Sequence, residues 1–181
     1  KLLLFSYSIK KTLLYLKGKP LTIRTLDVGN DKKVPSIEKF LTKSPNPALG
    51  LRAIRLTLAF PKIFKRQISA ILRASCFGNI RIMLPMVSNV SELMETRNMI
   101  NEVKTDLIKK NKRLKIKIPE IGVLIETPAA ALISESLAKN CDFFAIGTND
   151  LTMYTLAIDR GDEEVAKIYD PGHLSVLKLI D

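Results

Sequence analysis

Glu126 and the pair Asn149-Asp150 each follow a short apolar run, about one βα unit apart, and together they supply oxygen ligands. The first run, Ile121-Gly122-Val123-Leu124-Ile125, stops at Glu126, and Pro128 follows two residues later. Such a run reads as a strand giving way to a helix, with Thr127 at the N-cap and Pro128 at the first helical position, where a missing N–H costs nothing. The second run, Phe143-Phe144-Ala145-Ile146-Gly147, leads in the same way to Asn149-Asp150. A parallel α/β barrel of roughly 250 residues spends about 30 on each of its eight βα units and carries its functional groups on the C-terminal rim of the strands. Acids at 126 and 150 therefore fit neighbouring strands of one rim. Two carboxylates with an amide oxygen and water suit Mg²⁺ or Mn²⁺, hard cations that prefer oxygen. Either acid by itself would serve equally well as a helix-start charge or a turn residue, and it is the repetition that points to a site.

Three arginines stand at positions of similar interest. Arg24 lies in Thr22-Ile23-Arg24-Thr25-Leu26-Asp27, Arg52 follows the Leu49-Gly50 turn, and Arg160 falls in Ile158-Asp159-Arg160-Gly161-Asp162. A guanidinium inside an apolar strand is costly unless it is paired or engages a ligand, and Asp27 and Asp31 are the local pairing candidates for Arg24. The guanidinium fork binds phosphate or carboxylate in bidentate fashion. Arginines beside a divalent cation describe a site for a small, highly anionic molecule. Arg55, Arg73 and Arg81 are further arginines able to approach the rim.

The elements that must position these groups are strands at Leu21–Leu26, Ile80–Leu84, 121–125 and 143–147. A long loop spans 27–50. Helical periodicity begins near Arg52 and again at Pro61, where Ile63, Phe64, Ile68, Ile71 and Leu72 form an apolar stripe. Ser88 is the expected cap of a long helix whose stripe is Leu93, Ile100, Val103 and Leu107, with Met94 and Met99 as core filler. Helices are also expected over Pro128–Lys139 and Leu174–Ile180. Short, wholly apolar strands alternating with helices predict a parallel sheet covered on both faces. The fold class is α/β, a partial (β/α)8 TIM-type barrel with about four of the eight units; an open doubly wound sheet shows the same alternation. Four strands cannot close such a barrel, so residues 1–181 are expected to be part of a larger domain, with apolar edges that further sequence would cover.

Composition sets the limits. The chain has 181 residues and a net charge of +11. No stretch approaches the roughly 18 uninterrupted apolar residues of a membrane helix. Cys76 and Cys141 have no paired or metal-type spacing, which fits a reducing cytoplasm and structural thiols. Lys109, Lys110, Lys112, Arg113, Lys115 and Lys117 cluster at the end of one helix and the turn after it. Cations suit a helix C-terminus, and no aromatic residues interleave with them as in nucleic-acid modules, so no nucleic-acid partner is expected.

Several segments in order resemble the phosphoenolpyruvate-utilising enzymes, and among them Enzyme I of the bacterial sugar phosphotransferase system. They are Thr22-Ile23-Arg24-Thr25-Leu26-Asp27-Val28-Gly29, Asn46-Pro47-Ala48-Leu49-Gly50-Leu51-Arg52-Ala53-Ile54-Arg55, Ile71-Leu72-Arg73-Ala74-Ser75, Ile82-Met83-Leu84-Pro85-Met86, Gly122-Val123-Leu124-Ile125-Glu126-Thr127-Pro128-Ala129-Ala130, Asp142-Phe143-Phe144-Ala145-Ile146-Gly147-Thr148-Asn149-Asp150-Leu151-Thr152 and Ala157-Ile158-Asp159-Arg160-Gly161. The resemblance implies Mg²⁺ at Glu126 and Asp150, and phosphoenolpyruvate at Arg24, Arg52, Asn149, Asp150 and Arg160. It also implies transfer of the phosphoryl group to a histidine of a separate domain and then to the carrier HPr for sugar uptake, by a cytoplasmic homodimer. The acceptor histidine and a cysteine that protonates the enolate carbon would lie outside this chain, leaving it inactive by itself; His173, Cys76 and Cys141 match neither. Met153 stands where the family commonly has glutamine, and Asn30 where it commonly has glycine. Pyruvate phosphate dikinase and phosphoenolpyruvate synthase share the barrel, and a noncatalytic remnant or partner-binding module is the reading from another class.

Overall fold

Short apolar runs bounded by Gly, Pro and Asn pair here in the order in which they occur. In the computed structural model, residues 2–28, 44–159 and 161–181 are described. Strands β1 (Leu21–Arg24), β2 (Ile80–Leu84), β3 (Glu120–Ile125) and β4 (Phe143–Ile146) form one parallel sheet in the order β1-β2-β3-β4. Parallel neighbours need a crossover, and helices supply it. Helix α1 (Leu2–Tyr15) precedes β1, and α2 (Ala53–Ala59) and α3 (Pro61–Ala74) lie between β1 and β2. Helix α4 (Val90–Lys110) joins β2 to β3, and α5 (Pro128–Leu132) and α6 (Ser134–Ala138) join β3 to β4. Helices α7 (Thr148–Leu156) and α8 (Leu174–Ile180) follow β4. Consecutive parallel strands with helical crossovers are the repeating unit of the (β/α)8 barrel, and the four units form part of one.

Register decides which side chains meet the helices. Ile82, Leu84, Val123 and Ile125 pack into one core with Ile9 and Leu13 of α1, Phe64 and Ile68 of α3, and Leu93 and Ile100 of α4. The alternate positions form the other face, on which Arg24 aligns with Met83, Met83 with Gly122, and Gly122 with Phe143. The expected cover on both faces is thus found on one. The second is the inward face of a barrel, filled by strand side chains rather than helices. Gly122 is needed there, because a Cβ would lie 2.4 Å from ring atoms of Phe143.

Local chemistry moved several boundaries. Strand β1 ends at Arg24 rather than Leu26, although the Thr25 N–H still donates to the Met83 carbonyl at 3.0 Å. Strand β4 ends at Ile146, one residue short of the expected end. Asn89, not Ser88, caps α4, in a box that Glu92 completes by accepting from the Asn89 and Ser88 N–H groups. The expected helix over Pro128–Lys139 is broken where Ile133 leaves helical geometry at φ −106 and ψ 18. Met99 is buried as expected, but Met94 is exposed because it falls off the apolar stripe of α4. Among the described residues, no helix is long and apolar enough to cross a membrane.

Candidate functional site

The C-terminal ends of the strands deliver the polar groups to one place. Arg24 is the last residue of β1, Glu126 follows β3, and Asn149 and Asp150 lie in the first turn of α7, after β4. Helix α7 has no clear sequence signal, because Thr148-Asn149-Asp150 is a run of residues that favour turns and caps. With Asp27 and Arg52 these residues line a cavity of about 500 Å³. The acids at 126 and 150 therefore come directly after neighbouring strands, Glu126 after β3 and Asp150 in the helix that follows β4.

Glu126 is 2% exposed, and its Oε1 accepts a hydrogen bond from the Met86 backbone N–H at 2.7 Å. The turn after β2 aims that N–H by placing Met86 at φ 59. Behind the carboxylate stands Gly147, where a Cβ would lie 2.8 Å from the Glu126 Cβ and 2.9 Å from Oε2. Burial pushes the Glu126 carboxyl up to about 7; Asp150 and Asp27 add to the rise, while the Met86 N–H and Arg52 oppose it. Thr127 caps α5 as expected, its Oγ accepting from the Ala130 N–H at 3.1 Å and donating to the Val87 carbonyl at 3.0 Å.

Arg52 is buried, and its Nη2 donates to Asp27 Oδ1 at 2.9 Å and Asp150 Oδ2 at 3.3 Å. Its Nη1 donates to the Tyr154 hydroxyl at 3.2 Å. Burial works against this charge, but Asp27, Tyr154 and Asp150 outweigh it and hold the guanidinium protonated more firmly than usual. Arg24 differs. It ends its strand rather than crossing the middle, and its side chain is 48% exposed and 3.5 Å from Asp27 Oδ2. Its charge thus stays in contact with water as well as with its local acid. Asn149 is exposed, and the Tyr169 hydroxyl donates to its Oδ1 at 3.3 Å.

Arg160 and Asn30 lie outside the described residues, as does Asp31, the other pairing candidate for Arg24. Arg55 donates instead to the Leu49 carbonyl, Arg81 pairs with Glu120 at the far end of the sheet, and neither they nor Arg73 line the cavity. His173 caps α8, its Nδ1 accepting from the Ser175 N–H at 3.2 Å. Cys76 and Cys141 are half-buried and do not line the cavity, and burial raises the Cys141 thiol pKa, which disfavours a reactive thiolate. Two residues of the site carry no sufficient signal in the sequence. Local spacing marks Asp27 only as a partner for Arg24, whereas it joins Arg24 to Arg52. Nothing in local spacing marks Tyr154, which meets Arg52 across 102 residues of chain.

Among the described residues, no three His, Cys, Asp or Glu side chains form a cage for a metal ion. The arrangement offers two buried carboxylates, a third held by arginines, and guanidinium donors around one polar cavity. The family described as PEP-utilising enzyme, PEP-binding domain, matches residues 5–181. The chain belongs to the PEP-utilising enzymes. The matched domain contains the whole cavity. Similar proteins include phosphoenolpyruvate-protein phosphotransferases of Staphylococcus epidermidis, 45% identical over 94% of this chain, and of Bacillus subtilis, 44% identical over 94%. That of Buchnera aphidicola is 47% identical over 91% of the chain. The chain spans 28–30% of the length of these PEP-utilising relatives.

Proposed function

We propose that the cavity binds phosphoenolpyruvate together with a divalent cation, and that the protein transfers the phosphoryl group to a protein histidine. The observation that carries this reading is the convergence of Arg24, Arg52, Glu126 and Asp150 on one rim cavity in a PEP-binding domain. Arg24 and Arg52 supply forks for the carboxylate and phosphate of the substrate, Asn149 adds a side-chain amide, and Arg160 is proposed to join them. Glu126 and Asp150 would hold the cation. The fit rests on the donor set: Glu126 is buried beside Asp150 and Asp27, and desolvation and these neighbours raise its pKa, strain that a bound cation relieves. Mg²⁺ commonly takes one or two carboxylates and completes its shell with water and substrate oxygens, so the lack of a three-acid cage among the described residues is compatible with it. When bound, such an ion neutralises charge on the transferring group.

In the reaction the bond from phosphorus to the enol oxygen breaks and a bond from phosphorus to histidine nitrogen forms. Protonation of the enolate carbon then yields pyruvate. Arg24 and Arg52 hold the phosphoryl oxygens in place and spread their charge, which is most of what phosphoryl transfer asks of a protein. The acceptor histidine and the carbon acid are assigned outside this chain, since His173, Cys76 and Cys141 do not line the cavity. Subsequent transfer to HPr, sugar uptake, a homodimer and a cytoplasmic setting complete the proposal. It draws on the relatives named phosphoenolpyruvate-protein phosphotransferase.

The test is calorimetric titration of the full-length protein with phosphoenolpyruvate, with and without Mg²⁺. Binding should need the cation and be lost in Glu126→Ala and Asp150→Ala. Unchanged binding in both variants would overturn the cation assignment, and no binding by the folded wild type would overturn the reading as a whole.

A further inference from the structure

Arg52 is buried, and its two carboxylate partners share a single nitrogen, Nη2. A planar fork held at one nitrogen can still swing about it. The second fixed point is the Tyr154 hydroxyl, which accepts from Nη1 at 3.2 Å. That hydroxyl has one proton of its own, and it is donated to the Ala48 carbonyl at 2.5 Å, so a lone pair is left for the guanidinium. Ala48 belongs to a turn closed by the Leu49 N–H on the Asn46 carbonyl at 3.1 Å and the Gly50 N–H on Pro47 at 3.3 Å. One oxygen thus anchors both the turn that precedes Arg52 and the head of its side chain. Asp150 and Tyr154 are four residues apart on α7, on one helical face, so this helix grips the guanidinium at both terminal nitrogens.

We propose that Tyr154 is a positioning residue, which sets the plane of the Arg52 fork for the anionic substrate and fixes the Asn46–Gly50 turn against it. The inference rests on the phosphoenolpyruvate reading of the cavity. Its role is carried by the hydroxyl, whereas the ring serves packing.

The test uses the full-length protein with Tyr154→Phe, which keeps the ring. Its crystal structure should show the Arg52 fork turned about Nη2, with Nη1 displaced while Nη2 keeps its contacts with Asp27 and Asp150. Phosphoenolpyruvate affinity in the presence of Mg²⁺ should fall about tenfold, the scale of one hydrogen bond to a charged group. In an Arg52→Lys background, where no fork remains to be aligned, the same substitution should change affinity by less than about twofold, so that the double-mutant cycle shows Tyr154 and Arg52 to be coupled. An Arg52 fork unmoved in the variant, unaltered affinity, or an equal loss in both backgrounds would overturn the inference. Failure of the wild type to bind phosphoenolpyruvate would count against the functional reading instead, and the orientation of Arg52 in the variant would then decide the positioning role.

Discussion

At Glu126, burial and two neighbouring acids compete with one backbone N–H and one guanidinium, and burial, aided by the acids, prevails. A carboxyl whose pKa rises from 4.5 to about 7 on folding binds its proton more tightly in the native state. Between those values the native state holds more protons, so this group's contribution to stability falls as pH rises. Melting of the cation-free protein followed from pH 5 to 7.5 should therefore show a downward component that Glu126→Gln removes; an identical slope in the variant would refute the burial of a carboxylate there. Asp27 gives a second prediction. Its side chain is 6% exposed and that of Arg52 7%, so Asp27→Ala strips a buried charge of its nearer partner and should lower stability by about 3 kcal/mol in denaturant titration. Asp150 remains as the weaker support. The acids at 126 and 150 were legible because each follows an apolar run, a local signal. The part played by Asp27 was not, since its partner Arg52 lies 25 residues away.

Elements position the site by close approach as much as by hydrogen bonds. Gly147 has φ −97, which any residue adopts, so alanine there meets no backbone strain and its whole effect is steric. Gly147→Ala should displace the Glu126 carboxylate, weaken cation-dependent binding at least tenfold and cost about 1–3 kcal/mol of stability, the usual range for overpacking. Wild-type binding in that variant would show that the Glu126 side chain has room to spare. Gly122 tests the pairing of β3 with β4 in the same way: Gly122→Ala should be destabilising, and Phe143→Ala in the same molecule should recover most of the loss, since the ring is the obstacle. Strands and major helices were readable from apolar periodicity, which is why β2 and α8 match their expected spans. The break at Ile133 and the existence of α7 were hidden, because residues with capping and turn preferences carry the same letters at helix starts as in loops.

For the molecule as a whole, the four-stranded sheet has two edges, and the β4 side is apolar: Phe144 is 38% exposed and Ile146 49%. Such an edge is a template for pairing with another chain. The 181-residue chain produced by itself should therefore self-associate at micromolar concentration in light scattering and transfer no phosphoryl group. A monodisperse monomer would show that the edge is less adhesive than its composition implies. The strand order has a further consequence, for synthesis. Because each strand joins the one made before it, the sheet can lengthen in step with translation. The cavity cannot keep pace with it: Arg52 meets Asp150 across 98 residues and Tyr154 across 102. Long loops must close before those contacts form, so the polar centre is expected to be among the last parts of this region to assemble, after the hydrophobic layer beneath it has set. Pulsed hydrogen exchange during refolding should then protect the amides of β2 and β3 before those of α7.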